Sequence, residues 1–311
     1  MTMRVLVTGG SGYLGSAIVR ALQRAGHEPV VFARHATAAA LPGRAIDGDI
    51  RDTRAVTAAA SSVDAIVHSA ALVALWRRDP SEFDAINVGG LQSALAAARA
   101  NHLSRIVYTS SFLALPPADS PHALTANHYQ RTKVAARDLA RRAAADGLPL
   151  VTLYPGVIYG PGPATEGNLV ARLMRDHLNG RLPGAVGPER IWSYAFADDV
   201  ANAHVAALTI PQPMREYTVG GVNAPQQAIF EFLRDRRQRP LPRRIPYAIA
   251  SAAGAAQELV SAITGRAPLI TRGAVEIFRH DWPLKSDDAV RDLGLRATPL
   301  SDGLEASLAA L

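Results

Sequence analysis

Short apolar runs alternate with amphipathic stretches along the first half of the chain. The runs have the length of buried strands, and the stretches between them repeat apolar residues at helical spacing. We predict six strands, within residues 4–7, 29–33, 45–46, 64–68, 105–109 and 150–154. We predict helices over residues 13–25, 52–60, 81–100 and 129–146, the third of them capped by Ser81. Strands and helices that alternate in this way form a parallel sheet with helices on both faces, so the sequence predicts an α/β, doubly wound fold.

The pattern changes after residue 155. Glycine and proline become dense up to residue 188, and the later helices lack regular strand partners. We therefore expect one domain made of residues 1–155 and about 189–222, to which the segment 191–208 returns. A smaller, mainly helical domain is expected to comprise residues 156–188 and about 223–311.

An apolar, alanine-rich stretch covers residues 245–263. It contains Pro246, Gln257 and Glu258, which do not suit a helix that crosses a bilayer. We predict that this stretch is a buried helix and that the chain has no membrane span.

Composition excludes several classes of site. With 48% hydrophobic and 19% charged residues the chain is typical of a globular protein, and its net charge of +6 is spread along the sequence, so we expect no nucleic-acid partner. The absence of cysteine excludes disulfides and thiol catalysis, and the nine histidines show no metal-ligand spacing, so we expect no metal. Glycines interrupt the apolar N-terminal stretch, which makes it a poor signal peptide and favours a cytoplasmic location.

Gly9, Gly12 and Gly15 form a G-x-x-G-x-x-G motif between the first predicted strand and the first predicted helix. Glycines at such a turn let the backbone approach a pyrophosphate closely, and the helix N-terminus then faces the phosphates. A tight turn without a ligand would show the same glycines, but the strand–turn–helix context favours a dinucleotide site in a Rossmann-type fold.

Residues after the second and third strands would contact the adenosine half of such a dinucleotide. NAD sites usually carry Asp or Glu after the second strand, whereas this chain has Arg34, which can pair with a 2′-phosphate. NADP(H) is therefore favoured and NAD(H) stays an option, while a solvated Arg34 is the alternative. Asp49 and Ile50 either contact the adenine or, in the case of Asp49, cap the next helix.

Lysine is nearly absent, since Lys133 and Lys285 are the only lysines among 33 basic residues. Lys133 follows Tyr129 by four residues, so both lie on one face of a helix. Ser110 and Ser111 end the fifth strand, and ligands of doubly wound folds bind at the carboxyl ends of strands. Ser111 can then bind a substrate oxygen, and Lys133 can hold the nicotinamide ribose. Because an ammonium lowers the pKa of a nearby phenol, Tyr129 is a candidate general acid or base.

Further segments are shared with a known family. Beside the glycine motif, Asn87 and the Tyr129/Lys133 pair, they are HSAA at 68–71, TSS at 109–111, YPGVIYGPG at 154–162 and FADDV at 196–200. With these residues the chain resembles the extended short-chain dehydrogenase/reductases of the NAD-dependent epimerase/dehydratase superfamily. Segments at 71–73, 87–91, 167–172, 179–184 and 264–270 resemble the dihydroflavonol-reductase-like and farnesol-dehydrogenase-like branch.

The resemblance implies site residues and an activity. It places the catalytic serine at Ser111 and implies that Asn87 helps to hold a proton-relay water. It implies further cofactor contacts from Tyr13, Leu14, Ala70, Ala71, Tyr154, Pro155, Gly156 and Val157. Members of the branch oxidise or reduce a prenyl or other apolar alcohol or carbonyl with a nicotinamide cofactor. The smaller domain is then expected to bind the substrate.

We accordingly expect an NAD(P)-dependent alcohol dehydrogenase or carbonyl reductase that acts on a small apolar molecule. An apolar pocket for this molecule can be formed by Leu72, Leu75, Trp76, Phe112, Leu113 and residues 245–263. The alternative is that these side chains belong to the core. A nucleotide-sugar epimerase or dehydratase is an alternative, although Phe112 stands where dehydratases often carry an acid. A non-catalytic cofactor-reading protein is a third alternative, which the Tyr129/Lys133 pair disfavours. The oligomeric state is open, with a homodimer as one option.

Overall fold

The computed structural model describes residues 2–163 and 165–311. The strands in this part of the chain are β1 (Arg4–Thr8), β2 (Glu28–Ala33), β3 (Arg44–Asp47), β4 (Ala65–His68), β5 (Arg105–Thr109), β6 (Leu150–Pro155), β7 (Val157–Tyr159), β8 (Ile191–Phe196), β9 (Glu216–Val219) and β10 (Val222–Pro225). Seven of them form a parallel sheet in the order β3-β2-β1-β4-β5-β6-β9.

The helices of the described residues are α1 (Tyr13–Arg24), α2 (Thr53–Ala60), α3 (Ser81–Asn87), α4 (Gly89–Ala100), α5 (His128–Ala145), α6 (Leu169–Leu178), α7 (Ala197–Thr209), α8 (Gln227–Arg237), α9 (Tyr247–Thr264), α10 (Arg272–Ile277), α11 (Asp287–Leu293) and α12 (Leu300–Ala309). α1, α7 and α11 cover one face of the sheet, and α2, α4 and α5 cover the other. Successive strand residues alternate between the faces, so Val5 and Val7 pack with the first group and Leu6 with the second. The predicted Rossmann-type fold is confirmed.

A second, three-stranded sheet in the order β10-β8-β7 lies beside the main one. Its core is rich in aromatic residues, with Trp192 stacked on Phe278 and with Phe112 edge-on to Trp282. α6, α8 and α12 complete this core. Of the segment predicted to return to the first domain, α7 packs on the main sheet, whereas β8 belongs to the small sheet. The division into two domains stays a prediction.

The single helix predicted over residues 81–100 is wrong, because the structure breaks it at Val88 into α3 and α4. Two glycines follow Val88, and a Cβ at Gly90 would lie 3.0 Å from the Ile50 side chain. Glycine weakens a helix at such a point and here permits the close contact. Ser81 is the first helical residue after the cap position, and its hydroxyl donates to Asp79 instead of capping the helix.

The predicted burial of the stretch 245–263 is also wrong. It forms α9, whose large aliphatic side chains point outwards, and Ile263 is 77% exposed. Its packing partner is α10, which it contacts through small residues such as Gly254. Within the described residues, no helix is both long enough and apolar enough to cross a membrane.

Candidate active site

A cavity of about 580 Å³ opens at the carboxyl ends of β1, β2, β4 and β5. It brings together most of the residues that the sequence singles out. The predicted residues that line it are Gly9, Gly12, Tyr13, Leu14, Gly15, Arg34, Asp49, Ile50, Ala70, Ala71, Tyr129 and Lys133. Their roles as site residues stay predictions, but the fold places them around one space.

The glycine turn connects β1 to α1 with little room for side chains. Gly9 has φ +71°, its N–H donates to Phe32 O at 2.8 Å, and its carbonyl accepts from Gly12 N–H at 2.9 Å. A Cβ at Gly15 would lie 2.1 Å from Gly9 O, so this position excludes other residues. Gly12 caps α1 without a side-chain hydrogen bond, and no acidic residue lies in the first turn. The N–H groups of that turn are therefore available to an anion in the cavity.

Cationic side chains gather at the end of the cavity formed by β2 and β3. Arg34 is exposed there beside His35, and Arg51 lines the same end. Arg51 forms an ion pair of 2.6 Å with Asp49, whose pKa it lowers through hydrogen bonding. The suggestion that Asp49 caps the next helix is wrong, because Asp52 accepts the N–H groups at the start of α2.

Tyr129 and Lys133 lie one turn apart near the N-terminus of α5. Asn127 caps this helix by accepting from Gln130 N–H at 2.8 Å. The Lys133 ammonium lies 5.8 Å from the centre of the Tyr129 ring and 3.4 Å from Thr109 O. Lys133 is 3% exposed and has no carboxylate partner among the described residues, so its charge is available to a ligand.

Burial sets the pKa values of this pair. It raises the pKa of Tyr129 to about 12, with the Ser111 hydroxyl acting in the opposite direction. It lowers the pKa of Lys133 to about 8. The expectation that Lys133 lowers the pKa of Tyr129 is therefore wrong for this arrangement, because loss of hydration outweighs a charge 5.8 Å from the ring centre.

The two serines after β5 face different surroundings. Ser111 caps the short 3₁₀ turn at Phe112–Ala114, where its hydroxyl accepts from Leu113 N–H at 3.2 Å. Ser110 lines the cavity, and its buried hydroxyl has no hydrogen-bond partner among the described residues. Ser111, which the sequence names for catalysis, does not itself line the cavity, whereas its neighbour Ser110 does, so the catalytic role of Ser111 stays a prediction.

Asn87 does not line the cavity and is 2% exposed. Its side-chain oxygen accepts from Leu72 N–H at 2.7 Å, and its amide donates to Leu72 O at 3.2 Å and to Thr132 Oγ1 at 2.9 Å. The side chain thus ties the loop after β4 to α5. A role in holding a water stays a prediction.

Four predicted cofactor contacts lie outside the cavity lining, namely Tyr154, Pro155, Gly156 and Val157. The Tyr154 hydroxyl donates to Glu216 at 2.8 Å, away from the cavity. A Cβ at Gly156 would lie 2.4 Å from Ser193 O, so this glycine lets β6 and β8 approach each other. The neighbouring Ile158 does line the cavity.

Several lining residues are absent from the sequence prediction, namely Ser11, Arg51, Arg77, Thr165 and Glu166. Arg51 directly follows the predicted Asp49-Ile50 pair, so its position along the chain was a usable signal. Arg77 and Glu166 approach to 3.8 Å from two distant loops, which no local pattern indicates.

A scan against protein families gives an independent result. Residues 5–220 match the model of the NAD dependent epimerase/dehydratase family. The chain belongs to this family. The resemblance inferred from its motifs is thereby confirmed.

Relatives within this family carry different activities in their names. The chain is 34% identical over 224 residues to a 2-alkyl-3-oxoalkanoate reductase of Stenotrophomonas maltophilia. The aligned region covers 68% of this chain and 67% of that protein. The chain is 26% identical over 320 residues to a putative dihydroflavonol 4-reductase of Synechocystis sp., covering 96% and 91%. The solved UDP-glucose 4-epimerase of Thermotoga maritima superposes with a TM-score of 0.79 at 20% identity, covering 99% and 98%, which shows the shared fold alone.

Proposed function

We propose that the protein is an NAD(P)-dependent oxidoreductase that interconverts an alcohol and a carbonyl on a small apolar substrate. One observation carries the proposal. Tyr129 and Lys133 line the same cavity as the glycine turn, so a general acid or base and a dinucleotide cradle share one space. The reductases among the relatives support the oxidoreductase class.

The residues present fit a nicotinamide dinucleotide. The crowded turn at Gly9 and Gly15, together with the uncapped first turn of α1, suits a pyrophosphate. The unpaired Ser110 hydroxyl and the Lys133 ammonium suit the ribose at the other end. When bound, such a cofactor supplies or accepts a hydride.

Tyr129 is the proposed proton carrier. Its hydroxyl gives a proton to the substrate oxygen during reduction and takes one from the substrate hydroxyl during oxidation. Ser111 holds that oxygen by a hydrogen bond and interacts with the Tyr129 hydroxyl, so it aligns the two groups. Lys133 orients the cofactor and stabilises the anionic form of Tyr129.

NADP(H) is the proposed cofactor. Arg34 and Arg51 line the end where an adenosine ribose would lie, and Arg34 is exposed and free of ion pairs among the described residues. A guanidinium pairs well with a phosphate dianion, whereas NAD(H) offers only a hydroxyl there.

The proposal of an apolar substrate is based on the apolar residues that line the cavity near Tyr129. Leu72 and Val73 line the cavity, and Leu75 and Trp76 continue the same loop into a neighbouring cleft of about 330 Å³. Phe112 and Leu113 belong to the aromatic core behind the site. Of the two alternatives for these residues, pocket lining or core, the structure supports the core. The residues after Ser111 thus offer no acid for a dehydratase.

The deciding experiment is a substrate screen. Purified protein is mixed with NADP⁺ or NAD⁺ and with prenyl alcohols, aromatic alcohols or UDP-sugars, and formation of reduced cofactor is followed by absorbance. We expect turnover with an apolar alcohol and none in the Tyr129→Phe variant. Conversion of a UDP-sugar without net cofactor reduction, detected by chromatography, would replace the proposal with an epimerase.

A further inference from the structure

The arrangement of side chains on α9 is reversed compared with an ordinary surface helix. Its large aliphatic side chains are between 55% and 77% exposed: Ile249, Leu259, Val260 and Ile263. The side chains that it buries are small: Ala250, Gly254 and Ser261. Because a Cβ at Gly254 would lie 2.9 Å from Arg272 N, α10 packs close to the buried side. A helix that turns its large apolar residues outwards indicates a partner for that face.

The exposed face is continuous and carries no charge. At about 100° per residue, its members fall within one arc of about 160°. They are Ala248, Ile249, Ala252, Ala255, Ala256, Leu259, Val260, Ala262 and Ile263. Glu258, the one charged residue of α9, points to Arg272 at 2.8 Å, and Gln257 accepts from Leu269 N–H at 2.7 Å. This hydrogen bond holds Leu269 against the end of the helix, where its side chain, which is 72% exposed, adds to the apolar surface.

Arginines stand at both ends of this face. Arg243 and Arg244 precede α9 and are exposed, and Arg266 follows it and is exposed. The Arg78 guanidinium lies at the C-terminus of the helix, 3.4 Å from where a Cβ of Gly265 would be. Arg244 is paired with Glu189, whereas Arg243 and Arg266 have no ion pair among the described residues. An apolar face between basic ends complements an anionic lipid surface.

We propose that α9 lies on the surface of a bilayer containing anionic phospholipids, with its exposed aliphatic side chains in the boundary between headgroups and acyl chains. A second copy of the chain would also cover the apolar face. An antiparallel pair of α9 helices, however, would bring Arg243 of one copy towards Arg266 of the other, and these like charges repel. Lipid phosphates attract both ends, so the charges favour the bilayer.

α9 does not line the active-site cavity, but through Glu258 it lines a cleft that neighbours the cavity. The cleft of about 330 Å³ is lined by Leu75 and Trp76 on one side and by Glu258 and Thr271 on the other. The same loop lines the active-site cavity with Leu72 and Val73. A bilayer against α9 would therefore lie near this cleft, which offers a membrane-dissolved substrate a route towards the cavity. This last step rests on the proposed function, whereas the lipid contact does not.

Flotation with vesicles tests the contact without any substrate. The full chain is mixed with vesicles of phosphatidylcholine alone or of phosphatidylcholine with phosphatidylglycerol and is centrifuged through a density gradient. We expect flotation with the anionic vesicles, lost at high salt, and a partition coefficient lower by about tenfold or more in the Leu259→Ser/Ile263→Ser variant. Val290→Ser on α11 is the matched control, because Val290 is 55% exposed on another surface, and it should float like the wild type.

Three outcomes would overturn the proposal. The first is failure of the wild type to float with either vesicle, and the second is equal flotation of the Leu259→Ser/Ile263→Ser variant. The third is a wild-type dimer in sedimentation analysis that the double substitution converts to a monomer. This result would show that a second copy of the chain covers the exposed face of α9. Far-ultraviolet circular dichroism shows that each variant is folded. Because no turnover is measured, failure here leaves the proposed function standing.

Discussion

Asn87 binds both backbone groups of Leu72, which it holds at 2.7 Å through the N–H and at 3.2 Å through the carbonyl. The same amide reaches Thr132 on α5, one residue before Lys133. This buried side chain therefore fixes the cavity wall relative to the helix that carries Tyr129 and Lys133.

We expect Asn87→Ala to lower the free energy of unfolding by about 1–3 kcal/mol, because two backbone groups of a partly buried loop lose their partners. The loop should also become less ordered, which raises KM for the substrate. Asn101→Ala is the control, since Asn101 likewise donates to backbone carbonyls but lies far from the cavity. Chemical denaturation measures the change in stability, and steady-state kinetics measures the change in KM. Equal kinetic effects in both variants would show that Asn87 has no specific positioning role.

Replacing Tyr129 with phenylalanine should abolish turnover while cofactor affinity changes by no more than a few-fold. The hydroxyl is the proton carrier, whereas the ring and its contact with Lys133 remain. Cofactor binding is followed by fluorescence titration and turnover by absorbance. Near-wild-type activity in this variant would remove Tyr129 from the mechanism.

The stability of the protein should depend on the ionisation of Lys133. Its pKa falls from 10.5 to about 8 in the folded state, so between these values the unfolded chain binds more protons. The free energy of unfolding due to this group therefore rises with pH across that window. We expect the difference between wild type and Lys133→Met to shift by about 2 kcal/mol in favour of the wild type from about pH 7.5 to about pH 9.5.

Denaturant titrations at the two pH values measure this shift. Tyr129 acts in the opposite sense only above its ordinary pKa of 10.0, since its folded value is about 12, so the chosen range avoids it. A difference that is independent of pH would mean that burial does not depress the pKa of Lys133.

Arg34→Ala should weaken NADPH binding about tenfold and leave NADH binding nearly unchanged, since a guanidinium–phosphate pair contributes on the order of 1–3 kcal/mol. Arg24→Ala serves as control, because Arg24 ends α1 away from the cavity and is exposed. Equal loss for both cofactors in isothermal titration would contradict a 2′-phosphate role for Arg34.

Two glycine substitutions separate crowding at the turn from a general glycine effect. Gly15→Ala would place a Cβ 2.1 Å from Gly9 O, so the turn must shift. We expect the free energy of unfolding to fall by about 1–3 kcal/mol and cofactor binding to be lost. Gly89→Ala meets its nearest atom at 3.8 Å and should be neutral or slightly stabilising. Thermal unfolding and cofactor titration of both variants provide the comparison. Normal cofactor binding by Gly15→Ala would contradict a cradle at this turn.

The sequence predicts the main sheet well because strands such as β1 and β4 are buried on both faces, so continuous apolar runs mark them. It also places Tyr129 and Lys133 correctly around the cavity, since helical spacing fixes which residues share a face. The small sheet is less visible. β7 is three residues long and follows β6 after one residue, and β8 pairs with it across more than thirty positions.

The remaining differences depend on tertiary contacts. An apolar residue in α9 looks the same in the sequence whether it faces a core or the surface, so the exposure of Ile249 was not predictable. Phe112 follows Ser111, the proposed catalytic serine, but turns into the aromatic core, because the 3₁₀ turn capped by Ser111 directs it towards Trp282. The pKa of Tyr129 depends on burial, which spacing along a helix does not encode.

The scarcity of lysine has a practical consequence for chemical labelling. The chain has two side-chain amines, of which Lys285 is exposed and Lys133 is 3% exposed. Of the two lysines, an amine-reactive fluorophore should therefore modify Lys285 and spare Lys133 in the cavity while the fold is intact. Reaction at Lys133 then becomes a readout of opening at the base of the site, so a single reagent and a mass spectrometer can follow how ligands close it.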